Sequence, residues 1–289
     1  MEPRVAGNIE RWRGFADAFD RHRPAPPSVL LDWISRYALS SASGQRVVID
    51  LGSGTGLSTF PWANRAALVI GVEPSDDMLR VAAQRRAPHG SGNAALIGAL
   101  ATATGLAHEC ADIVTCSQSL HWLDPEPTFA EIARILRPGG VFAAYDYDWP
   151  PATGNARVDA AYDRFMAHAS SLERSEQIPL PAHLYPKHEH LERMRASKRF
   201  AFVREFVIHS EVQGDAERFI GLTLTQGAPA TLRKLGVSDD VLGVPAFVAD
   251  VRESLGTGAT PWLIGYRVRL GVIPNADEST IATNRSQSP

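Results

Sequence analysis

The stretch Val48-Ile49-Asp50-Leu51-Gly52-Ser53-Gly54-Thr55-Gly56 constrains this chain more than any other. A short apolar run, Arg46 to Leu51, reads as a buried parallel strand, and three glycines follow it at alternate positions. Glycine lets the backbone turn sharply and lets a ligand approach with no side chain in the way. In this reading the loop amides and the N-terminus of a following helix face the ligand. About 20 residues further on, a second strand ends in Val72-Glu73-Pro74, where a carboxylate can accept hydrogen bonds from both ribose hydroxyls of a nucleoside. These two strands describe a nucleoside site at the carboxyl ends of a parallel sheet.

The glycine spacing narrows the ligand. Dinucleotide folds favour G-x-G-x-x-G, in which close amides hold a pyrophosphate. Here the spacing is Gly52-x-Gly54-x-Gly56, with Asp50 two residues before the first glycine. An acidic side chain there repels a diphosphate and suits a cationic ligand carrying an amine and a sulfonium.

The strand-helix alternation continues along the chain. Ser28 is placed to cap a helix whose apolar face is Val29, Leu30, Trp33, Ile34 and Tyr37, and Ser40 to Gly44 reads as a turn. Leu57 to Asn64 is expected to begin a helix, with Pro61 tolerated early in it. Ala67 to Val72 is a strand, and Ser75 caps a helix to about Arg86 with Asp76 and Asp77 in its first turn. Ala94 to Gly98, Ala111 to Cys116 and Val141 to Tyr145 are further strands. Pro125 to Leu136 is a helix stopped by Pro138-Gly139-Gly140. Such alternation implies a parallel sheet covered on both faces. Beyond Pro150-Pro151, helices are expected at Arg157 to Leu172, Ala216 to Leu224, Ala230 to Leu235 and Phe247 to Leu255. Strands are expected at Phe200 to Ser210 and Trp262 to Val272, and Ser175 to Pro186 reads as irregular. The domain reading is an N-terminal helical lid (1–44), a cofactor-binding core (45–150), the rest of the sheet with inserted cap helices (151–274) and a polar, disordered tail (275–289).

With 289 residues, 44% of them hydrophobic, the chain can bury a substantial core. A net charge of -3 with mixed signs offers no basic stripe for phosphate neutralisation, which disfavours nucleic acid as the substrate. Cys110 and Cys116 lie in no metal spacing and read as reduced, packed thiols. No apolar run is long enough to cross a bilayer, and the first residues lack the apolar segment of a secretory signal. A cytoplasmic monomer or homodimer acting on a small molecule, with no membrane partner, is the expectation.

The glycine-rich stretch resembles motif I of the class I S-adenosylmethionine-dependent methyltransferases, and Glu73 matches the acidic residue at the end of their second strand. Ser117-Gln118-Ser119-Leu120-His121-Trp122 is similar to the segment after their fourth strand, and the run from Ala130 to Gly140 to their helix and turn before the fifth. Phe19-Asp20-Arg21-His22-Arg23-Pro24 resembles the start of the small-molecule type 11 branch. The resemblance spans roughly residues 15 to 150 and implies an α/β, Rossmann-like fold: a mainly parallel seven-stranded sheet with helices on both faces and a helical cap. It implies S-adenosyl-L-methionine as cofactor and S-adenosyl-L-homocysteine as product. Gly52, Ser53, Gly54 and Gly56 would pass beneath the amino-acid part of the cofactor, and Asp50 would hold its ammonium. Glu73 would bind the ribose, Pro74 and Met78 would flank the adenine, and Ala101 and Thr102 would line its edge. Ser117 and Gln118 would sit beside the methionine moiety, Trp122 near the sulfonium, and Arg23 at the carboxylate. One departure is that Ala99 to Thr104 lacks the acidic residue with which many relatives accept from the adenine amino group.

Methyl transfer from a sulfonium is an in-line displacement that asks for alignment, exclusion of water and, where needed, removal of a proton. His121, after the fourth strand, titrates near neutrality and is the first candidate for a base; its alternative role is to hydrogen-bond the loop or cofactor. Tyr145 and Tyr147 alternate with Asp146 and Asp148, so one side of that segment lines a substrate pocket with aromatic faces, together with Trp149, or packs against the cap. Tyr147 is a second candidate base. His22, Trp12 and Phe15 are candidates to close the pocket, or form a helix packed on the core. His183, His188 and His190 match no firm ligand spacing and read as a solvated loop, so no metal is expected. The aromatic content favours a hydrophobic or aromatic acceptor, with oxygen, nitrogen or carbon left open. The competitors are a nicotinamide-dependent oxidoreductase and a cofactor-binding protein without catalysis.

Overall fold

Val47–Leu51 (β1) is a strand because its apolar run is buried on both faces, with four of its five residues inaccessible. It pairs in parallel with Leu68–Val72 (β2) on one side and Ala111–Ser117 (β4) on the other. The chain therefore reverses its winding at β1, and the carboxyl end of that strand opens onto the crevice that such a reversal creates. Ala94–Ile97 (β3) extends the sheet beyond β2, and Leu136–Tyr147 (β5) pairs in parallel with β4. With Phe202–Gly214 (β6) and Thr260–Val272 (β7), the sheet has seven strands in the order β3-β2-β1-β4-β5-β7-β6. This mixed, mostly parallel sheet flanked by helices is the Rossmann-like arrangement expected from the sequence. The computed structural model describes residues 3–10, 14, 16–38, 45–89, 92–175 and 184–275.

The chain divides into two units. The sheet-bearing unit comprises Ala25–Asp146, His183–Ile208 and Tyr266–Pro289. Its core joins Ile49, Leu51, Val114, Phe129, Ile132, Phe142 and Phe200, with the rings of Phe142 and Phe200 stacked 5.8 Å apart. Helices Ser28–Tyr37, Asp76–His89, Pro125–Ile135 and His190–Ala196 belong to it. The helical unit comprises Met1–Pro24, Tyr147–Ala182 and His209–Gly265. It gathers Ala156–Ser175, Ala216–Leu224, Gly227–Lys234 and Val244–Leu255 around Phe165, Phe219, Phe247 and Trp262. No helix among the described residues is long and apolar enough to cross a membrane.

Several local expectations are corrected. No α-helix begins at Leu57; the segment turns and then forms a 3₁₀ helix, Phe60–Asn64. Pro61 has no amide hydrogen to continue a ladder, and Ser58 and Thr59 direct their hydroxyls to Asp50. The glycine loop is thus followed by no α-helix N-terminus. Pro27, not Ser28, is the N-cap residue of its helix. The turn Pro138-Gly139-Gly140 does not precede β5 but lies within it, because the Gly140 carbonyl accepts from Ile273 N at 2.9 Å and the residues just after β7 lie along it. The N-terminal segment contains the helix Pro3–Glu10. The irregular run to Pro186 leads into a 3₁₀ turn, Lys187–Glu189. Trp12, Phe15, the turn Ser40 to Gly44, His183 and residues 276–289 lie outside the described residues.

Candidate active site

The glycine loop is held from both sides. Gly52 N and Ser53 N both donate to Val72 O, at 2.8 and 3.1 Å, so the loop is tied to the end of β2. Ser119 Oγ donates to Leu51 O at 2.7 Å, which ties it to the segment after β4. Gly52, Gly54 and Gly56 all have positive φ, but for different packing reasons. A Cβ on Gly52 would lie 2.6 Å from Ser119 Cβ, and one on Gly56 would lie 2.4 Å from the Phe60 ring. A Cβ on Gly54, at φ +54°, would meet nothing within 4 Å. Two glycines therefore serve internal packing, and the middle one leaves a bare backbone facing open space.

Asp50 is fully buried, and its register partner on β4 is Thr115. Its Oδ1 accepts from Thr115 Oγ1, and its Oδ2 from Ser58 Oγ and Thr59 Oγ1, each at 2.7 Å. Burial raises its pKa and the three hydroxyls oppose that rise. Asp50 thus organises the turn from beneath.

Glu73 is also buried. Its Oε2 accepts from Gly54 N and its Oε1 from Ser75 N, both at 2.9 Å. Burial raises its pKa, opposed by these two backbone donors. Each carboxylate oxygen keeps a further lone pair for a ligand hydroxyl. Met78 is buried, Pro74 half-buried, Ala101 buried and Thr102 half-buried. The segment after β3 is braced by Glu131, which accepts from Thr104 N and is paired with Arg134. The hydrogen-bonded Arg134 guanidinium, against the effect of burial, holds Glu131 down to about 2.

At the end of β4 Ser117 and, just beyond it, Gln118 are half-buried, and Gln118 has a left-handed backbone at φ +54°. Its Oε1 accepts from Lys187 Nζ at 3.0 Å. Lys187 also pairs with Asp146 Oδ1 at 2.9 Å, and Arg269 Nη1 with Asp146 Oδ2 at 3.1 Å. Burial would raise the pKa of Asp146, but Lys187, His121 and Arg269 outweigh it and hold the carboxyl below its ordinary range. His121 Nδ1 stands 3.8 Å from Asp146 Oδ1, beyond hydrogen-bond length but close enough for charge to act. The His121 carbonyl accepts from Tyr185 N at 2.8 Å, and its ring lies 5.1 Å from that of Trp122. Tyr145 is wholly buried, which raises its pKa well above the ordinary phenol. His190 is buried and pushed down to about 4 by that burial.

In the helical unit, Arg23 Nη1 donates to Tyr147 OH at 3.1 Å and Nη2 to Thr225 O at 3.0 Å. The Arg23 guanidinium lies over the Trp149 ring, 4.8 Å from its centroid, and Tyr147 packs edge-on against Trp149. His22 lies on Gly221, where a Cβ would come within 2.4 Å of its ring. Its pKa is lowered by burial and then by Arg21, Arg218 and Arg23.

The structure thus brings together Asp50, Gly52, Ser53, Gly54, Gly56 and Glu73, and separately Gln118 and His121 around Asp146, within one unit. Arg23, Tyr147 and Trp149 gather in the other. Lys187 and Arg269 escaped the sequence reading because each meets its partner across a long separation, and Glu131 because it meets Thr104 from 27 positions away. Glu131-x-x-Arg134 does carry an i,i+3 signal, but that spacing alone describes any solvated helix face.

A mostly parallel seven-stranded sheet of this order, with this loop after β1, is consistent with the fold of the class I S-adenosylmethionine-dependent methyltransferases. Residues 49–144 match a methyltransferase-domain family. An uncharacterized methyltransferase of Mycobacterium tuberculosis is 37% identical over 123 residues, 43% of this chain and 46% of that protein. A demethylmenaquinone methyltransferase of Mycolicibacterium paratuberculosis is 31% identical over 136 residues, 47% of this chain and 54% of that one. The chain spans about half the length of these curated relatives. A candidate type II methyltransferase from Anaeromyxobacter dehalogenans aligns in three dimensions over 88% of this chain and 99% of its own, at 26% identity and a TM-score of 0.61. The YcgJ protein of Bacillus subtilis shares the fold, with a TM-score of 0.52 at 18% identity over 86% of this chain and 98% of its own.

Proposed function

We propose that this protein transfers a methyl group from S-adenosylmethionine to a small, hydrophobic or aromatic metabolite. The observation that carries the reading is Gly54: its left-handed backbone has open space where a side chain would stand, and its amide is fixed by the buried Glu73 carboxylate. Among the three glycines it alone lacks an internal packing reason, and a ligand passing over bare backbone supplies one. Glu73 then holds the ribose hydroxyls with its remaining lone pairs, and Pro74 and Met78 flank the adenine. Gly52, Ser53 and Gly56 shape the turn, and Asp50 acts on the ligand's ammonium through the loop it organises. Ala101 and Thr102 border the adenine, and Ser117, Gln118 and Trp122 the methionine end. When bound, the sulfonium supplies an already activated methyl group.

The remaining task of the chain is to align the acceptor and take its proton. Asp146 favours the His121 tautomer with its proton on Nδ1, which leaves the Nε2 lone pair as the base. Tyr147, whose hydroxyl accepts from Arg23, is the second candidate. Trp149 offers an aromatic face to the acceptor.

Calorimetric titration with S-adenosylmethionine and S-adenosylhomocysteine, with NADH as control, tests the cofactor. Micromolar binding of the first two, lost in Glu73→Ala, is the expected result. Heat with NADH alone would overturn the reading in favour of a nicotinamide enzyme.

A further inference from the structure

Gln118 is one of three non-glycine residues with positive φ among the described residues. L side chains avoid that conformation, and it persists where surrounding contacts hold it. Two contacts hold Gln118: its backbone N donates to Tyr145 O at 3.0 Å, and its Oε1 accepts from Lys187 Nζ at 3.0 Å. Lys187 is itself anchored by Asp146, and Asp146 by the buried Arg269. The anchor passes from β7 through β5 to the 3₁₀ turn Lys187–Glu189, and from there to the loop after β4.

An ammonium has three donors and no acceptor, so the end of the Gln118 amide that faces Lys187 must be the oxygen. The other end is then a donor. Gln118 Nε2 is buried, and nothing among the described residues accepts from it. A buried amide donor without a partner is costly, and an acceptor from outside the chain relieves that cost.

We propose that Lys187 is a positioning residue that sets the polarity of the Gln118 amide, so that Nε2 is presented as a donor to the carboxylate of the cofactor's methionine moiety. The inference rests on the cofactor reading above and adds to it the residue that makes Gln118 selective for the amino-acid end. Without Lys187 the amide is free to turn its oxygen toward that carboxylate, where two acceptors oppose one another.

The test compares two ligands on the full chain by calorimetry. S-Adenosylhomocysteine carries the amino-acid end, and 5′-methylthioadenosine shares the nucleoside and thioether but lacks it. Lys187→Met is expected to weaken S-adenosylhomocysteine about tenfold and to leave 5′-methylthioadenosine unchanged, which also shows that the variant is folded. Lys187→Arg, which keeps donors at this position, is expected to recover most of the affinity. In a Gln118→Ala background, Lys187→Met is expected to cost nothing further, because the two residues act as one. Equal losses for both ligands, additive losses in the double variant, or an unchanged S-adenosylhomocysteine affinity would overturn the proposal while leaving the cofactor reading intact. Failure of the native protein to bind S-adenosylhomocysteine would overturn both.

Discussion

Gly54 donates its amide hydrogen to Glu73 Oε2 at 2.9 Å, so the carboxylate at the end of the second strand holds the bare middle of the glycine loop after the first. The same carboxylate takes Ser75 N with its other oxygen and thereby joins the loop to the start of the following helix. Glu73→Ala leaves two backbone donors without their charged acceptor. The variant is expected to lose about 2 kcal/mol of stability in urea unfolding, and to lose S-adenosylhomocysteine binding more severely than that loss alone explains.

The glycines separate by their surroundings. Gly54→Ala meets no atom and bears only the left-handed backbone penalty, about 1 kcal/mol, while closing the face offered to the ligand. Gly56→Ala drives a methyl into the Phe60 ring, which fills a core position, and is expected to cost about 2–3 kcal/mol. Thermal melts should therefore rank Gly56→Ala well below Gly54→Ala. Calorimetry on the folded Gly54→Ala protein should show the greater loss of ligand affinity per unit of stability lost.

Glu131 makes stability depend on acid. Its folded pKa, near 2, lies below the ordinary value of 4.5, so below pH 4.5 the unfolded chain binds a proton that the folded chain refuses. The contribution is full above pH 4.5 and is lost as pH falls toward 2. It is about 2 kcal/mol after discounting for the partly exposed Arg134. Urea midpoints of the native protein and Glu131→Gln should differ at pH 6 and converge as the pH is lowered toward 3.

Under the proposed function, His121 and Tyr147 are alternative candidates for the base. His121→Asn is expected to lower kcat by about 100-fold or more with little change in cofactor affinity. Tyr147→Phe, which removes only the hydroxyl that Arg23 meets, is expected to lower kcat far less. Measured once an acceptor is found, unchanged turnover in His121→Asn would transfer the role to Tyr147.

Arg23 shows why a basic residue beside a predicted site does not disclose its partner. It lies over Trp149 and donates to Tyr147 and to the Thr225 carbonyl, so geometry as well as charge holds it. Arg23→Lys retains the charge but not the planar fork, and is expected to recover less than half of the stability lost in Arg23→Ala, about 2 kcal/mol in all.

The sequence by itself determined the parallel sheet, the turn after β1 and the carboxylate at the end of β2. Each is written in contiguous residues: an apolar run, glycines at alternate positions, and an acidic residue one strand later. Local chemistry of this kind survives any packing that the rest of the chain adopts. Tertiary structure alone decided which glycine faces open space, since that depends on Ser119 and Phe60 arriving from other elements. It also turned Asp50 inward onto three hydroxyls, one of them brought by its β4 register partner. It converted the expected helix after the glycines into a 3₁₀ turn, because Ser58 and Thr59 were needed at Asp50 and Pro61 had no amide to offer. Lys187 reaches Gln118 across 69 positions and Arg269 reaches Asp146 across 123, separations at which no periodic pattern links two charges. Periodicity reports only which face of an element is buried; the identity of what it is buried against is settled when the elements pack.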